Sequence, residues 1–570
     1  MTGHGAKTDR ATTTVGAYLA ARLEQIGLKH YFTVPGDYNL VLLDELLTNH
    51  NLKMISCCNE LNAGYAADGY ARATGGPAAV VVTFSVGGLS LLNAVAGAYA
   101  EDLPVIAISG GPNTNSEAEY ELLHHTLGEV DYGYQREIFR RVTVEAVLVQ
   151  HATEAPGQID HAIETALTRR KPVYLEIACN LAGATVSAPN PRTFSTGFTS
   201  DPASLDAAVE HAAELLNAAV KPVLVAGVKL RSAGALDAFQ QLADTSGYAV
   251  AHMPNSKGFL DEQHPGYIGN YWGPVSTPGC GEIVESADLC LFAGATFTDY
   301  TTTGHTALID PKKMIRAKSN CVILPSQSYN DVALADFLAK LAPKLDPNGA
   351  SLTAYKRIQE QSWLPASKED DTPLTTRALF AAIQKLLDGE SAVIAETGDS
   401  WFNGMQLNLP SGARFEIQLQ YGSIGWSVGA TLGYCIGRSD RRVVALIGDG
   451  SFQLTAQEVS TMIRYETKPL IFLINNGGYT IEVEIHDGPY NNIKNWDYAG
   501  LIDVFNAADG NGWGCRVTTE KELAEAIEKA TQHDGLALIE VAIDRDDCSK
   551  NLLQWGSHVE KNNGRPPRTR

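Results

Sequence analysis

Two apolar runs near the C-terminal end, Val443–Ile447 and Leu470–Ile474, constrain this chain more than any other feature. Each is apolar at all five positions, the pattern of a strand buried on both faces of a parallel sheet. The first breaks at Gly448-Asp449-Gly450 and the second at Asn475-Asn476-Gly477-Gly478. The 24 residues 451–474 hold an amphipathic helix pattern and the second strand. Parallel strands joined in this way end on one edge of the sheet, which is where ligands bind in open α/β folds. Asp449 and Asn476 are therefore expected to converge, with a carbonyl of the glycine turn as a third oxygen. The glycines let the backbone approach a ligand closely, and the helix opening after Ser451 offers unpaired N–H groups. Hard oxygen donors of this kind suit Mg2+ when phosphate oxygens complete its octahedron.

A chain of 570 residues exceeds a single hydrophobic core and predicts about three domains. The net charge of −21 argues against nucleic acid or an anionic membrane surface as a partner. Nine scattered cysteines without zinc-type CxxC pairs suit a reducing cytoplasm, and Cys57-Cys58 read as core. The first residues, MTGHGAKTDRATTT, have no apolar leader pattern, and no run reaches the length of a membrane span.

Residues 14–180 alternate helix and strand patterns, with strands predicted at Lys29–Val34, Leu52–Cys58, Ala78–Phe84, Val105–Ser109 and Val173–Ala178. Ala184–Pro202 is rich in Ser, Thr and Pro without periodicity and reads as a linker. A second α/β unit follows, with strands at Val223–Gly227, Ala249–Met253 and Leu289–Ala293, closed by the polar stretch Asp346–Pro373. The third unit has strands at Ala392–Glu396, Phe415–Gln420, Val443–Ile447, Leu470–Ile474 and Leu536–Ile543. The basic tail GRPPRTR after Asn563 reads as disordered. No GxGxxG follows a strand, so a nicotinamide enzyme is disfavoured.

Either turn alone is an ordinary loop. Paired at this spacing and followed by TIEVEIHDGPYNNIKNWDYAGL, they resemble the thiamine diphosphate-dependent 2-oxo acid decarboxylases. The resemblance extends over nearly the whole chain. It implies three doubly wound α/β parallel-sheet domains: pyrimidine-binding (1–190), middle (203–345) and diphosphate- and Mg2+-binding (374–560). The metal ligands would be Asp449, Asn476 and the Gly478 carbonyl. Cofactor contacts are implied at Thr397, Asp399, Gly422, Ser423, Ile424, Gly450 and Ser451, and along Asn476, Gly477, Gly478, Tyr479, Thr480 and Ile481. Gly477 departs from the larger residue often found there in relatives.

Glu60, in CCNELNAGYAADGYAR, would face N1′ of the aminopyrimidine ring and set its tautomer, and Ile424 would wedge between the two rings of the cofactor. Asp37 of PGDYN, His124-His125 of YELLHHTLGE and Glu482 would relay protons. Being adjacent, the two histidines could not face one partner from a helix. Trp401 would narrow the substrate pocket, with Tyr300, Ile485 and Trp555 as further lining. The implied reaction is decarboxylation of pyruvate to acetaldehyde and CO2 through a C2 ylid, with indolepyruvate or phenylpyruvate as alternative substrates. Trp401 disfavours those on volume, and His124-His125 disfavour a carboligating synthase. The family's sites form between subunits, so a homo-oligomer is expected, a dimer of dimers in its usual form. VAGVKLRSAG lacks the activating cysteine of some regulated relatives, which predicts hyperbolic kinetics.

Overall fold

The structure is a computed structural model that describes residues 11–359, 368 and 370–567. The expected absence of a leader within 1–10 and the end of the basic tail at 568–570 lie outside the described residues, as do 360–367 and 369 of the second boundary. Three α/β layers carry the chain, each built on a mainly parallel sheet. The residues divide into two compact units, Met1–Gly197 and Phe198–Arg570, the second holding two of the sheets.

The first sheet has six parallel strands in the spatial order Lys53–Ser56, His30–Thr33, Ala78–Val82, Val105–Gly111, Val173–Ala178, Glu145–Val149. All residues of Ala78–Val82 and Val105–Gly111 are buried, as apolar runs covered on both faces must be. The helix Glu60–Thr74 starts where the Asn59 side chain accepts the Asn62 N–H (2.9 Å) and stops at Gly75 in the left-handed region.

The middle sheet has five parallel strands followed by two antiparallel ones, Cys321–Ile323 and Ser328–Asn330. Its helices Pro202–Ala218 and Leu334–Leu341 bury their apolar stripes in one core. The third sheet repeats the plan of the first: Arg414–Glu416, Ser391–Ala395, Arg442–Gly448, Leu470–Asn475, Ala537–Ala542, Trp513–Val517, all parallel. Counted within each sheet, both read 2-1-3-4-6-5.

Several local expectations are corrected. The strand expected over Phe415–Gln420 is three residues, Arg414–Glu416, and the chain turns from there into Gly422-Ser423-Ile424. Ala184–Pro202 is not wholly linker, because Thr185–Ser187 pairs antiparallel with Thr12–Thr14. Within the second boundary Ala350–Ile358 is a helix. That boundary is not a break in packing either. The Arg231 guanidinium grips the Glu416 carboxylate (2.6 and 2.7 Å), and the Lys257 ammonium donates to the Leu407 carbonyl (2.7 Å). Cys57 is buried but Cys58 is exposed, since both lie past the end of their strand.

Candidate active site

The register of the third sheet sets the site. Ile447 pairs with Leu473 and Gly448 with Ile474, so the two strands finish level and their turns meet. Asp449 is fully buried there: Gly450 N–H donates to its Oδ1 (2.7 Å) and Gly477 N–H to its Oδ2 (2.6 Å). Burial pushes the Asp449 carboxyl up to about 6, against the opposing pull of the amides of Gly477, Gly450, Asn476 and Gly478. The Asn476 amide donates to Thr480 Oγ1 (2.6 Å), which leaves its carbonyl oxygen free to act as a ligand. Gly477 sits at φ +79°, a conformation that L side chains adopt at a cost. A methyl group at Gly450 would overlap the Tyr479 ring, so the close approach of these turns requires glycine there.

A cavity of about 310 Å³ opens at this edge. Thr397, Gly398 and Asp399 line one wall, the Gly448–Ser451 turn the floor, and Asn476 and Gly478–Glu482 another wall, with Ile424 projecting into it. Asp399 opens the short helix Asp399–Gly404 and accepts from Ser549 Oγ (2.5 Å), Ser549 N–H (3.0 Å) and Asn403 Nδ2 (2.7 Å). Burial lifts its carboxyl to about 6 despite those bonds. Glu482 is exposed at the cavity wall. Its charge, after burial, helps raise the pKa of the Tyr300 hydroxyl, which places the two groups near each other.

The first unit carries a second cluster. The PGDYN turn leaves the strand His30–Thr33 and presents Asp37, half-exposed. His124 Nε2 lies 2.5 Å from Asp37 Oδ2 and His125 Nε2 3.7 Å from Asp37 Oδ1. From a helix the adjacent histidines could not face one partner, but the segment is not helical. His125 adopts φ +64°, and that reversal turns both imidazoles toward one carboxylate. The Tyr38 ring stacks on His124 with centroids 5.0 Å apart. The Tyr134 hydroxyl donates to the His125 carbonyl (3.1 Å). Glu60 is the first residue of its helix and half-buried, with its carboxylate beside Gly87.

Family models match this chain in three places. The thiamine pyrophosphate enzyme N-terminal TPP binding domain covers residues 13–134, the central domain 209–341 and the C-terminal TPP binding domain 396–541. Pyruvate decarboxylase 1 of Oryza sativa subsp. indica is 52% identical over 570 residues, covering 99% of this chain and 94% of the relative. Pyruvate decarboxylase 3 of Arabidopsis thaliana is 52% identical over 565 residues, 98% of this chain and 95% of the relative. Pyruvate decarboxylase 2 of Oryza sativa subsp. japonica is 53% identical over 559 residues, 97% and 92%. The chain belongs to the pyruvate decarboxylase family of thiamine pyrophosphate enzymes.

The residues present fit the cofactor of the pyruvate decarboxylase family. Asp449 is a buried carboxylate held by backbone amides, and its neighbours offer neutral oxygens: a donor set that suits a hard cation. Of the residues expected to shape a substrate pocket in this pyruvate decarboxylase fold, Tyr300 packs edge-on against Trp401 (6.2 Å) and Trp555 (4.9 Å). Trp401 and Trp555 are fully buried, and Ile485 packs on the same core. None of these four lines the 310 Å³ cavity itself; Gly422 lies close by, a methyl group there coming within 3.7 Å of Tyr300 and 3.8 Å of Trp401. Ser423 is held off the cavity wall by its N–H bond to Gln418 Oε1 (2.9 Å).

Sequence reasoning missed Glu396. It is fully buried and accepts from Ser427 Oγ (2.6 Å), Thr397 N–H (2.7 Å), Gly425 N–H (3.1 Å) and Ser427 N–H (3.1 Å). It thereby fixes the loop bearing Ile424 to the strand end bearing Thr397. A charged residue closing the otherwise apolar run AVIAE was the available signal. Ser549 was missed as well, and nothing in its local sequence pointed across to Asp399.

Proposed function

We propose that this protein decarboxylates pyruvate non-oxidatively to acetaldehyde and CO2, using thiamine diphosphate and Mg2+. The convergence of Asp449 with the Asn476–Gly478 turn, 2.6 Å at its closest, carries this reading. Full-length similarity to proteins named pyruvate decarboxylase supports the substrate. When bound, thiamine diphosphate supplies the nucleophilic carbon and the electron sink of the reaction.

The chain's own residues supply the rest. Asp449, the Asn476 carbonyl and the Gly478 carbonyl would hold Mg2+, and Gly450, Ser451, Asp399 and Thr480 would hold the diphosphate. Thr397, Gly422 and Ile424, with Gly477, Tyr479 and Ile481 on the facing turn, would orient the organic rings, and Ser423 would support the Gly422–Ile424 turn through its N–H bond to Gln418. Glu60 holds a proton at N1′ of the aminopyrimidine. Glu482, exposed at the cavity mouth, moves a proton near the substrate carboxylate. The proton shared by His124 Nε2 and Asp37 Oδ2 is poised for delivery to product, with His125 beside it. Tyr300, Trp401, Ile485 and Trp555, packed together beside Gly422 rather than on the cavity wall, set how far the cavity can widen for the side chain of the 2-oxo acid. Indolepyruvate, with its bulky ring, is correspondingly disfavoured.

The working particle is a homo-oligomer, two copies completing each site and a dimer of dimers its fuller form. Leu40, Val41, Leu47 and Val86 support this, each about half exposed on two helices of the first unit. No helix of the described residues is long and apolar enough to cross a membrane. The net charge of −21 disfavours nucleic acid, and nine free cysteines suit the cytoplasm. The test is CO2 release from pyruvate with added thiamine diphosphate and Mg2+. Turnover that needs both, and that exceeds turnover of indolepyruvate, is expected. No release, or faster release from indolepyruvate, would refute the assignment.

A further inference from the structure

Three side chains of the first unit meet in an arrangement that proton relay alone does not require. Asp37, His124 and His125 each turn a ligand atom toward a common point, and those atoms all lie within 4.8 Å of one another. Two imidazole nitrogens and one carboxylate oxygen, with a side open to solvent, form the donor set of a three-ligand metal site with a vacant fourth position. In a tetrahedral zinc site, bonds of about 2.0–2.2 Å put neighbouring ligand atoms roughly 3.3 Å apart. The pair His124 Nε2–Asp37 Oδ2 is closer than this at 2.5 Å and the pair His125 Nε2–Asp37 Oδ1 wider at 3.7 Å. These two contacts run to different oxygens of the carboxylate and the widest separation in the trio is bounded at 4.8 Å, so a turn of the Asp37 carboxylate and side-chain shifts of about 1–1.5 Å would close the three donors round an ion. The three residues sit on irregular segments between regular elements, where such shifts disturb no helix or sheet ladder. In the single chain the side chains of Asp37, His124 and His125 are 50%, 58% and 31% exposed. His124 is braced from behind by the stacked Tyr38 ring, whose hydroxyl faces Nδ1 at 3.5 Å, an arrangement that orients a ligating imidazole.

We propose that Asp37, His124 and His125 form a reversible inhibitory site for a borderline divalent cation of the zinc class. It is separate in chemistry from the Mg2+ site. The all-oxygen set at Asp449 and Asn476 selects a hard cation, whereas two imidazoles select Zn2+, Co2+ or Ni2+ over Mg2+. A zinc ion here occupies the lone pairs that hold the shared proton, so it removes the histidine–aspartate pair from proton transfer while leaving the cofactor in place. The binding claim rests on the geometry of the first unit alone; only its inhibitory consequence rests on the decarboxylase reading.

The experiment titrates Zn2+ into the holoenzyme at saturating Mg2+ and thiamine diphosphate. It follows bound zinc by equilibrium dialysis, retained cofactor by assay and CO2 release in parallel. One zinc per chain is expected, with activity falling in step, the cofactor retained, and recovery on brief chelation of zinc. Co2+ in place of Zn2+ gives the visible absorption of a four-coordinate, nitrogen-ligated ion. His124→Gln, His125→Gln and Asp37→Asn, each checked for retained cofactor, are expected to weaken zinc binding at least tenfold. Unchanged zinc affinity in the variants that keep their cofactor would overturn the proposal. So would inhibition that tracks loss of thiamine diphosphate, which would locate zinc at the oxygen site. Zinc binding in a protein that releases no CO2 would leave the site standing and refute the functional reading instead.

Discussion

The first and third sheets share the strand order 2-1-3-4-6-5, yet their edges are built for opposite tasks. In the third, strands 3 and 4 end at Gly448 and Asn475, and the turns that follow bury Asp449 completely among backbone amides. In the first, strand 3 ends at Val82 and leads through Phe84-Ser85 into Val86-Gly87-Gly88, with no carboxylate in the turn. Its acidic groups come from the ends of strands 1 and 2, as Asp37 and Glu60, and both remain accessible to solvent. One scaffold thus yields a desolvated pocket suited to a cation and an open edge whose carboxylates meet water, the two tasks we propose for them. Burial of the carboxylate is what separates them: a desolvated carboxylate must be hydrogen-bonded, protonated or matched by a cation, whereas a wet one exchanges protons with water.

The same contrast appears one layer deeper. Glu396 in the third sheet is buried with four donors between 2.6 and 3.1 Å. Glu176 in the first is buried with the Tyr174 hydroxyl (2.5 Å) as its donor, and burial pushes its carboxyl up to about 7. Burial raises the Glu396 carboxyl as well, but the hydroxyl and amides of Ser427 and Thr397 oppose that rise, whereas Glu176 has chiefly the Tyr174 hydroxyl to do so.

Removing the acid from the open edge has the largest expected effect. Glu60→Ala is predicted to abolish exchange of the cofactor C2 proton, a loss of about 10²–10⁴-fold or more, while thiamine diphosphate still binds. Normal exchange, read by proton NMR after acid quench, would remove Glu60 from its role. Next comes Glu176→Gln. The native carboxyl titrates near 7 and the unfolded one near 4.5, so the folded state binds the extra proton and stability is lost as pH rises between those values. The amide should leave stability unchanged at pH 4 and add about 3 kcal/mol at pH 8. Denaturant midpoints at the two pH values check this, and an equal effect at both would contradict it. Gly450→Ala forces a methyl group into the Tyr479 ring, for roughly 1–3 kcal/mol. It should raise the Mg2+ requirement about tenfold, read from activity against Mg2+ concentration. The smallest effect is a null one. Since VAGVKLRSAG has no cysteine, the rate should rise hyperbolically with pyruvate, and a sigmoidal curve would show a regulatory response located elsewhere.

The long apolar runs were legible because burial on both faces leaves no other reading, and the GDG and NN turns came with them. Three of the edge strands were not. Glu145–Val149, Tyr267–Asn270 and Trp513–Val517 are short or interrupted by polar residues, since an edge strand is covered on fewer sides. Phe415–Gln420 was read too long because buried side chains continue past Glu416 into a turn. The joint approach of His124 and His125 to Asp37 depends on one positive φ at a non-glycine residue, which local sequence does not announce. Glu396 and Ser549 act across long sequence separations, so only the fold reveals them.

The central claim is that a buried Asp449 and the facing Asn476 turn grip a metal-bound diphosphate. Thiamine diphosphate binding measured over a range of Mg2+ concentrations, in the native protein and in Asp449→Ala, addresses it most directly. Tight, Mg2+-dependent binding in the first and a loss of about 100-fold or more in the second is the predicted result. Equal binding by both proteins, or binding indifferent to Mg2+, would contradict the account.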